Sequence, residues 1–334
     1  MILDIIIPQY NENEEQVKIL LDSISNQENI DFKEINVTIV NDCSNVILSD
    51  EFLRNYEKLN ICYIRNDKNT GPGLARQKGV DSTDNQYIMF CDADDRLYDN
   101  KVLYHIIPFL KQKKPNYLVT NIAVERYFNG KKAVEIREGR DTFPWMHGKV
   151  YKRSFLEEKE IRFSPYVRHV EDIYYTTCVI GSIDLRLITY LDCVTYLWKA
   201  NEASLTRKKS EFPYMVEVFD DFIETPKYIM EFLNKHKSHY RFSFVVNSLF
   251  GIYISLNSDA FDDERLAERK SKYNMRLKEY IDQKRNIFVL IDKEELEKIY
   301  EEEKRQLMLR SNIKNINKTV DDFLNEYIFT EKIN

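Results

Sequence analysis

Asp92, Asp94 and Asp95 stand together in Phe90-Cys91-Asp92-Ala93-Asp94-Asp95, directly after an apolar run. Like charges packed this closely repel one another, and a bound cation is the usual way to hold them together. Carboxylate and phosphate oxygens suit Mg²⁺ or Mn²⁺, and Mg²⁺ is often held by one or two carboxylates plus a substrate. The plainer reading is a solvated acidic turn capping the next helix. A second acidic pair, Glu171-Asp172, lies in Arg168-His169-Val170-Glu171-Asp172 ahead of a helical pattern. Acids at a helix start are favoured by the helix dipole without any function. Their chemical reading is a general base whose carboxylate takes a proton from an attacking hydroxyl.

Three further loops carry candidate chemistry. Pro8-Gln9-Tyr10-Asn11-Glu12 follows the first apolar run, and Tyr10 is suited to lie against a planar base; the alternative is an ordinary turn. In Val40-Asn41-Asp42-Cys43-Ser44, the Asp42 carboxylate is able to accept a hydrogen bond from a base N–H, as uracil N3–H would offer, or to cap a helix. Asn69-Thr70-Gly71-Pro72-Gly73-Leu74-Ala75-Arg76 combines two glycines, which permit close backbone approach, with an Arg one turn into a helix. It is neither GxGxxG nor a P-loop, so the nicotinamide and P-loop readings lose ground.

These loops need elements to carry them. Leu3 to Ile7 is a continuous apolar run, as expected of a parallel strand buried on both faces. Val17, Leu20, Leu21 and Ile24 follow at helical spacing, then a strand from Ile35 to Val40 and a helix marked by Phe52, Tyr56 and Leu59. Ile61 to Ile64, a short helix near Leu74 to Gly79 and a strand from Tyr87 to Cys91 complete a β-α-β-α-β order, which argues for a doubly wound, mostly parallel sheet. Beyond it, Ile106, Ile107 and Leu110 suggest a helix. Tyr117 to Asn121 and Ala133 to Ile136 flank an Asn129-Gly130 turn as a hairpin. Strands are expected at Leu185 to Tyr190 and at Val194 to Trp198.

After about Lys208 the chain turns rich in Lys, Glu and Asp and reads as helices. Asp292 with Glu295 makes a capping box, and Leu296, Ile299, Tyr300 and Leu307 face one way. Val320, Phe323, Leu324, Tyr327 and Ile328 form a second apolar stripe, and core packing is the first reading of both.

With 334 residues, 43% hydrophobic and 31% charged, the chain has material for two domains and is not globally disordered. A formal charge of −6 supplies no overall basic field for nucleic acid. The five cysteines form no close pair, which favours free thiols in a reducing compartment over disulfides or a zinc site. The start, MILDIIIPQY, lacks the basic region of a signal peptide. The apolar stretch from Phe242 to Leu256 is interrupted by polar residues and shorter than the roughly 20 a spanning helix needs. We expect a cytoplasmic protein without a transmembrane segment, with an interfacial membrane contact through Phe244 to Leu256 left open.

In order and spacing these motifs resemble the family 2 inverting glycosyltransferases of the GT-A fold. The matching blocks are IIIPQYNE, IVNDCS, NTGPGLARQKGV, FCDADD as the DxD motif and VEDIYY as the acidic pair. Also similar are MHGKVYKRSFLEEKEIRF and Tyr196-Leu197-Trp198-Lys199 followed by Ser204-Leu205-Thr206-Arg207. The resemblance covers residues 1 to about 207. It implies a GT-A catalytic domain at 1–207, with a nucleotide-sugar-binding half at 1–98 and an acceptor-side half at 99–207. A helical region at 208–334 would serve packing, oligomerisation or acceptor binding.

The resemblance also implies roles. Pro8, Tyr10 and Glu12 line the nucleotide pocket, Asp42 reads uracil, and Arg76 helps hold the base or diphosphate. In the DxD motif Asp92-Ala93-Asp94, Asp92 lies near the ribose or sugar, and Asp94, with Asp92, binds Mn²⁺ or Mg²⁺. Asp172 is the general base and Glu171 orients it or the donor sugar. His147, Lys149 and Arg207 neutralise the leaving diphosphate. The sequence departs from the commoner VDDGS pattern at Asn41 and Cys43, which alters the base contacts. The implied reaction moves a sugar from a nucleotide sugar, with UDP favoured, to an acceptor hydroxyl with inversion. The acceptor is left open among a polysaccharide or teichoic-acid-like polymer, a lipid-linked glycan, a protein and a modified nucleic acid. Two rivals stand beside it. A nucleotidylyltransferase is disfavoured by the acidic, glycine-free first loop. A nucleotide-sugar-binding or assembly protein without turnover is disfavoured because every expected acidic position is filled.

Overall fold

The first strand, β1 (Leu3–Gln9), is buried over nearly its whole length, as its unbroken apolar run requires. It is followed by α1 (Glu14–Ser25), whose capping box pairs Asn13 with Gln16. Then come β2 (Ile35–Asn41), α2 (Asp50–Arg54), β3 (Ile61–Arg65), α3 (Pro72–Asp81) and β4 (Tyr87–Phe90). In the computed structural model, residues 1–128, 131–142, 145–200, 212–310, 313 and 315–329 are described. The chain divides into two compact units, Met1–Glu202 and Ala203–Asn334. The expected boundary at 207 falls outside the described residues.

The first unit continues with β5 (Arg96–Leu97), α4 (Val102–Lys113), β6 (Tyr117–Phe128), β7 (Lys131–Arg137), β8 (Lys149–Lys152), α5 (Arg153–Glu158), α6 (Glu171–Gly181) and β9 (Thr189–Trp198). One sheet holds every strand in the order β3-β2-β1-β4-β8-β6-β9-β5, with β7 added beside β6. β3, β2, β1 and β4 are parallel. From β8 onward the sheet is mixed: β8 runs antiparallel to both β4 and β6, while β6 and β9 are parallel.

Alternation along β1 sorts its side chains between two layers. Leu3, Ile5 and Ile7 join the core formed with Val17, Leu20, Leu21 and Ile24 of α1 and Val102, Leu103, Ile106 and Leu110 of α4. On the other face α3 lies flat against the sheet at Gly79, where an added Cβ would stand 2.4 Å from Ile6 Cγ2. Asp4, fully buried in β1, is paired with Arg153 of α5 at 2.9 Å. The sequence order therefore reverses between β1 and β4, and open α/β sheets place ligands outside the carboxyl ends of strands at such a point.

Several local expectations are corrected. Leu185–Leu187 is a 3₁₀ turn, fixed by Asp184, whose side chain accepts from the Arg186 N–H; the strand begins only at Thr189. Leu185 and Leu187 are exposed, so their alternation with Arg186 is a surface pattern and not a strand face. α2 ends at Arg54, and Tyr56 and Leu59 reach the core from the turns after it. A hairpin forms, but its first arm is Ile122–Phe128, paired with Lys131–Arg137, whereas Tyr117–Val119 of the expected arm pair with β8; Asn129-Gly130 lies outside the described residues.

The second unit is helical: α7 (Tyr214–Glu217), α8 (Phe219–Lys235), α9 (Arg241–Leu256), α10 (Ala267–Val289), α11 (Lys293–Arg310) and α12 (Val320–Phe323). α9 is buried from Phe244 to Leu256, apart from half-buried Asn247 and Ser248, and is packed by α8, α10 and α11. This apolar run is spent on its own unit's core and is not available to a membrane surface. Leu296, Tyr300, Leu307, Val320, Phe323, Leu324 and Ile328 join the same core. Among the described residues, no helix is long and apolar enough to cross a membrane.

Candidate functional site

β4 is buried throughout and delivers Asp92 to Asp95 into a tight turn closed by the Asp95 N–H on the Asp92 carbonyl at 3.2 Å. Tyr196 of β9 holds this turn from below. Its hydroxyl accepts from the Asp92 N–H at 3.0 Å and donates to Asp95 Oδ2 at 2.7 Å. The Lys199 N–H donates to the other Asp95 oxygen at 2.8 Å. Burial, with the neighbouring Asp94 charge, pushes the Asp95 carboxyl up to about 8.

Asp92 points the other way, to a guanidinium and an imidazole. Arg76 Nη2 donates to Oδ1 at 2.6 Å, and His147 Nε2 lies 3.0 Å from Oδ2. Burial alone would raise the Asp92 pKa, but the guanidinium and the imidazole outweigh it and hold the carboxyl well below its ordinary range. For His147, burial works against the charge, yet the Asp92 bond and the Asp92 and Asp95 charges raise its pKa overall. The ring is stacked near Trp198 and lies against Tyr196, and its Nδ1 is buried without a hydrogen-bond partner.

Arg76 is the hub. It is buried in α3, and its second terminal nitrogen donates to Glu171 Oε1 at 2.8 Å. A single guanidinium thus joins the turn after β4 to the acid pair at the start of α6, which begins 95 residues after Arg76. Glu171 is buried and Asp172 half-buried. Burial raises both carboxyl pKa values; Arg76 opposes the rise at both, and Asp172 adds to it at Glu171. Asp172 Oδ1 accepts from the Ile173 N–H at 2.8 Å, as expected of an acid in a first helical turn.

The remaining predicted residues separate into those at the cluster and those placed elsewhere. Glu12 accepts from the Tyr10 N–H at 2.6 Å. Burial lifts its carboxyl to about 7, with the charges of Asp94 and Asp92 adding to the effect. Tyr10 is half exposed, Pro8 is half-buried beside it, and Asp94 and buried Ala93 lie within the turn after β4. Asp42 has a different occupation. Its two oxygens accept from Asn66 Nδ2, the Thr70 N–H and hydroxyl, and the Gly71 N–H, at 2.7–3.0 Å, so it holds the glycine loop. A base N–H would have to share those oxygens. Asn41 is likewise turned inward, donating to Gln9, the Val46 carbonyl and Tyr63. Cys43, where the commoner pattern has Gly, adopts φ 57°.

Lys149 is fully buried, donating to Thr142 Oγ1 at 2.8 Å and the His147 carbonyl at 3.1 Å, and burial pulls its pKa down to about 7. It braces the turn that carries His147, and its ammonium is taken up by these two oxygens. Both ends of Arg76 are held by carboxylates in place of the expected base or diphosphate. Arg207 lies outside the described residues.

The donor chemistry fits a divalent cation. Asp92, Asp95 and His147 each offer a ligand atom within 4.8 Å of the others; the two carboxylates suit Mn²⁺ or Mg²⁺, while the imidazole is a ligand more typical of zinc, copper, iron or nickel. This grouping differs from the expected Asp92 and Asp94. The sequence places Asp95 in the acidic cluster and Tyr196 in a matching block, but shows neither the tyrosine's hold on both ends of the turn nor the place of Asp95 beside His147.

Known proteins share the fold that carries this cluster. Residues 4–167 match the family model described as Glycosyl transferase family 2. The teichoic acid poly(glycerol phosphate) polymerase of Staphylococcus epidermidis is 31% identical over 147 residues, which are 40% of this chain and 20% of the relative. The poly(ribitol-phosphate) beta-glucosyltransferase of Bacillus spizizenii is 25% identical over 190 residues, 53% of this chain and 29% of the relative. The chain spans less than a third of the length of these curated relatives. The crystal structure of S. aureus TarS 1-349 in complex with UDP-GlcNAc superposes with a TM-score of 0.67 at 17% identity, covering 92% of this chain and 89% of that one. That likeness establishes the mixed α/β GT-A fold with a helical C-terminal region.

Proposed function

Because the chain carries a glycosyltransferase family 2 domain at residues 4–167, we propose that it moves a sugar from a UDP-sugar to a hydroxyl of a polyol-phosphate polymer, with inversion. The observation that carries the reading is the Arg76 bridge, which sets the donor-side carboxylate Asp92 and the acid pair Glu171-Asp172 at opposite ends of one guanidinium. Donor and acceptor chemistry then share one site at the carboxyl ends of β1 and β4. The choice of UDP-sugar and of a polymer acceptor is supported by the similarity to a poly(glycerol phosphate) polymerase, to a poly(ribitol-phosphate) glucosyltransferase and to a structure holding UDP-GlcNAc.

Asp172, half-buried at the first turn of α6 with one oxygen bonded to a backbone N–H, takes the proton of the acceptor hydroxyl. The hydroxyl oxygen attacks the anomeric carbon from the face opposite the diphosphate, and an α-linked donor gives a β-linked product. Glu171, fixed by Arg76, holds its neighbour in place. Asp92, Asp95 and His147, with Asp94 in the same turn, would hold Mn²⁺ or Mg²⁺, which when bound offsets the charge of the leaving diphosphate. Tyr196 keeps Asp92 and Asp95 in register for that task. In this proposal residues 1–207 catalyse, and 208–334 serve packing, oligomerisation or acceptor binding.

The test is nucleoside diphosphate release from UDP-, GDP- and dTDP-sugars with Mn²⁺, Mg²⁺ or chelator, in the presence of poly(ribitol phosphate) and poly(glycerol phosphate). Metal-dependent release of UDP, lost in Asp94→Ala, is the expected result. Release of pyrophosphate, or no release with any donor and polymer, contradicts the proposal.

A further inference from the structure

We propose that α3 is the rail that registers the acid pair against the donor-side carboxylates, and that Gly73 is a positioning residue for Glu171 and Asp172. The proposal rests on the sugar-transfer reading above and extends it to residues that touch no substrate.

The glycines of Asn69-Thr70-Gly71-Pro72-Gly73 suggest a backbone approaching a phosphate. The space over Gly73 is instead filled by protein. A Cβ at Gly73 would stand 2.9 Å from both Cβ and Cγ of Glu171 and 3.1 Å from Phe163 Cδ1, closer than side chains tolerate. At Gly71, with φ 86°, a Cβ would meet Arg168 Cγ at 3.3 Å. The absent side chains let α3 seat directly on the segment that leads into α6.

The seating continues along the helix. Asn69 Oδ1 accepts from Arg168 Nη2 at 2.6 Å, and Arg76 meets Glu171 at 2.8 Å. Gln77 Oε1 accepts from the Phe163 N–H at 3.1 Å, and Asp81 pairs with Arg162 at 2.6 Å. Positions 73, 76 or 77, and 81 recur every three to four residues, so one face of α3 makes these contacts. The segment from 162 to 171 ends where α6 begins, and its placement is the placement of Asp172. The same helix holds Asp92 through the other end of Arg76. The separation between the two carboxylate groups is therefore set by how closely α3 can lie against residues 162–171, and Gly73 is where a side chain would hold them apart.

Misplacing a reacting group by about 1 Å costs roughly 10²-fold in rate. Gly73→Ala is expected to lower kcat for sugar transfer by about that factor while leaving the donor Kd nearly unchanged. Moving Glu171 away from Arg76 also weakens the guanidinium's hold on the acid pair, so the acid limb of kcat/KM shifts to higher pH. Gln77→Ala removes the bond to the Phe163 N–H without adding volume, and is expected to give a smaller change of the same kind. It carries the test if Gly73→Ala does not fold. Gly79→Ala, which presses on Ile6 of the sheet, is the control. It should lower Tm without moving the acid limb.

Wild-type kcat and an unshifted acid limb in Gly73→Ala and Gln77→Ala, with Asp172→Asn inactive, overturn the positioning role and leave the sugar-transfer reading standing. Gly73→Ala behaving like the Gly79→Ala control overturns it as well. A wild-type protein that turns over no nucleotide sugar overturns that reading, and this proposal with it.

Discussion

The sheet-bearing unit and the helical unit treat charge in opposite ways. In the first, Arg76, Asp95, Lys149 and Glu171 are buried; Arg76, Asp95 and Glu171 are paired across distant elements, and Lys149 is held locally by Thr142 and the His147 carbonyl. In the second, the buried polar side chains among the described residues are the uncharged hydroxyls Thr225, Ser238, Ser255 and Ser258. Its ion pairs, such as Lys298–Glu294 and Arg305–Glu302, stand at the surface. Buried ions are costly even when paired, and well-packed apolar residues would often be at least as stable. A unit that accepts this cost at the carboxyl ends of its strands is organised for chemistry, while one that avoids it is organised for packing.

Three substitutions separate the two regimes. Arg76→Ala removes the shared partner of Asp92 and Glu171, leaving buried charge unpaired; a loss of roughly 3–5 kcal/mol is expected, together with loss of nucleoside diphosphate release. Denaturant unfolding and the release assay on the full chain check both. Retained activity would mean that the buried charge is structural. Phe250→Ala empties the centre of the helical core, where its ring meets Phe288, Tyr300 and Phe323 edge-on. It should cost about 3–5 kcal/mol yet leave donor hydrolysis by the folded protein unchanged. Lost hydrolysis in folded protein would tie the second unit to the chemistry. Lys298→Ala breaks an exposed pair four residues apart and should shift stability by no more than about 0.5 kcal/mol. A larger shift would put electrostatics back into the helical unit.

The same contrast explains what could be read from the amino-acid order. The helical core was legible because Leu296, Tyr300 and Leu307, and then Val320, Phe323 and Leu324, repeat at helical spacing and need no distant partner. β1 and the motifs at its end were legible for a similar reason. The partners of the charged residues were not. Asp42 is turned to Thr70 and Gly71 by a loop 28 and 29 residues away, and Arg76 to Glu171 over 95. Lys149 carries a charge suited to a diphosphate, and only the packing of β8 between β4 and β6 shows it buried beneath His147. Residue type announced a charge at each of these positions, whereas its partner depended on tertiary closure.

The most direct test of the central claim, that Asp172 acts as the base in sugar transfer, is the rate and donor affinity of Asp172→Asn against wild type across pH. Wild-type kcat/KM should rise with pH along an acid limb displaced upward from the ordinary Asp value, because burial raises the Asp172 pKa and only the ionised form accepts a proton. The variant should lose about 10²-fold or more in kcat, keep its donor Kd and lose that limb. An Asp172→Asn protein with wild-type kcat and an intact acid limb would contradict the account.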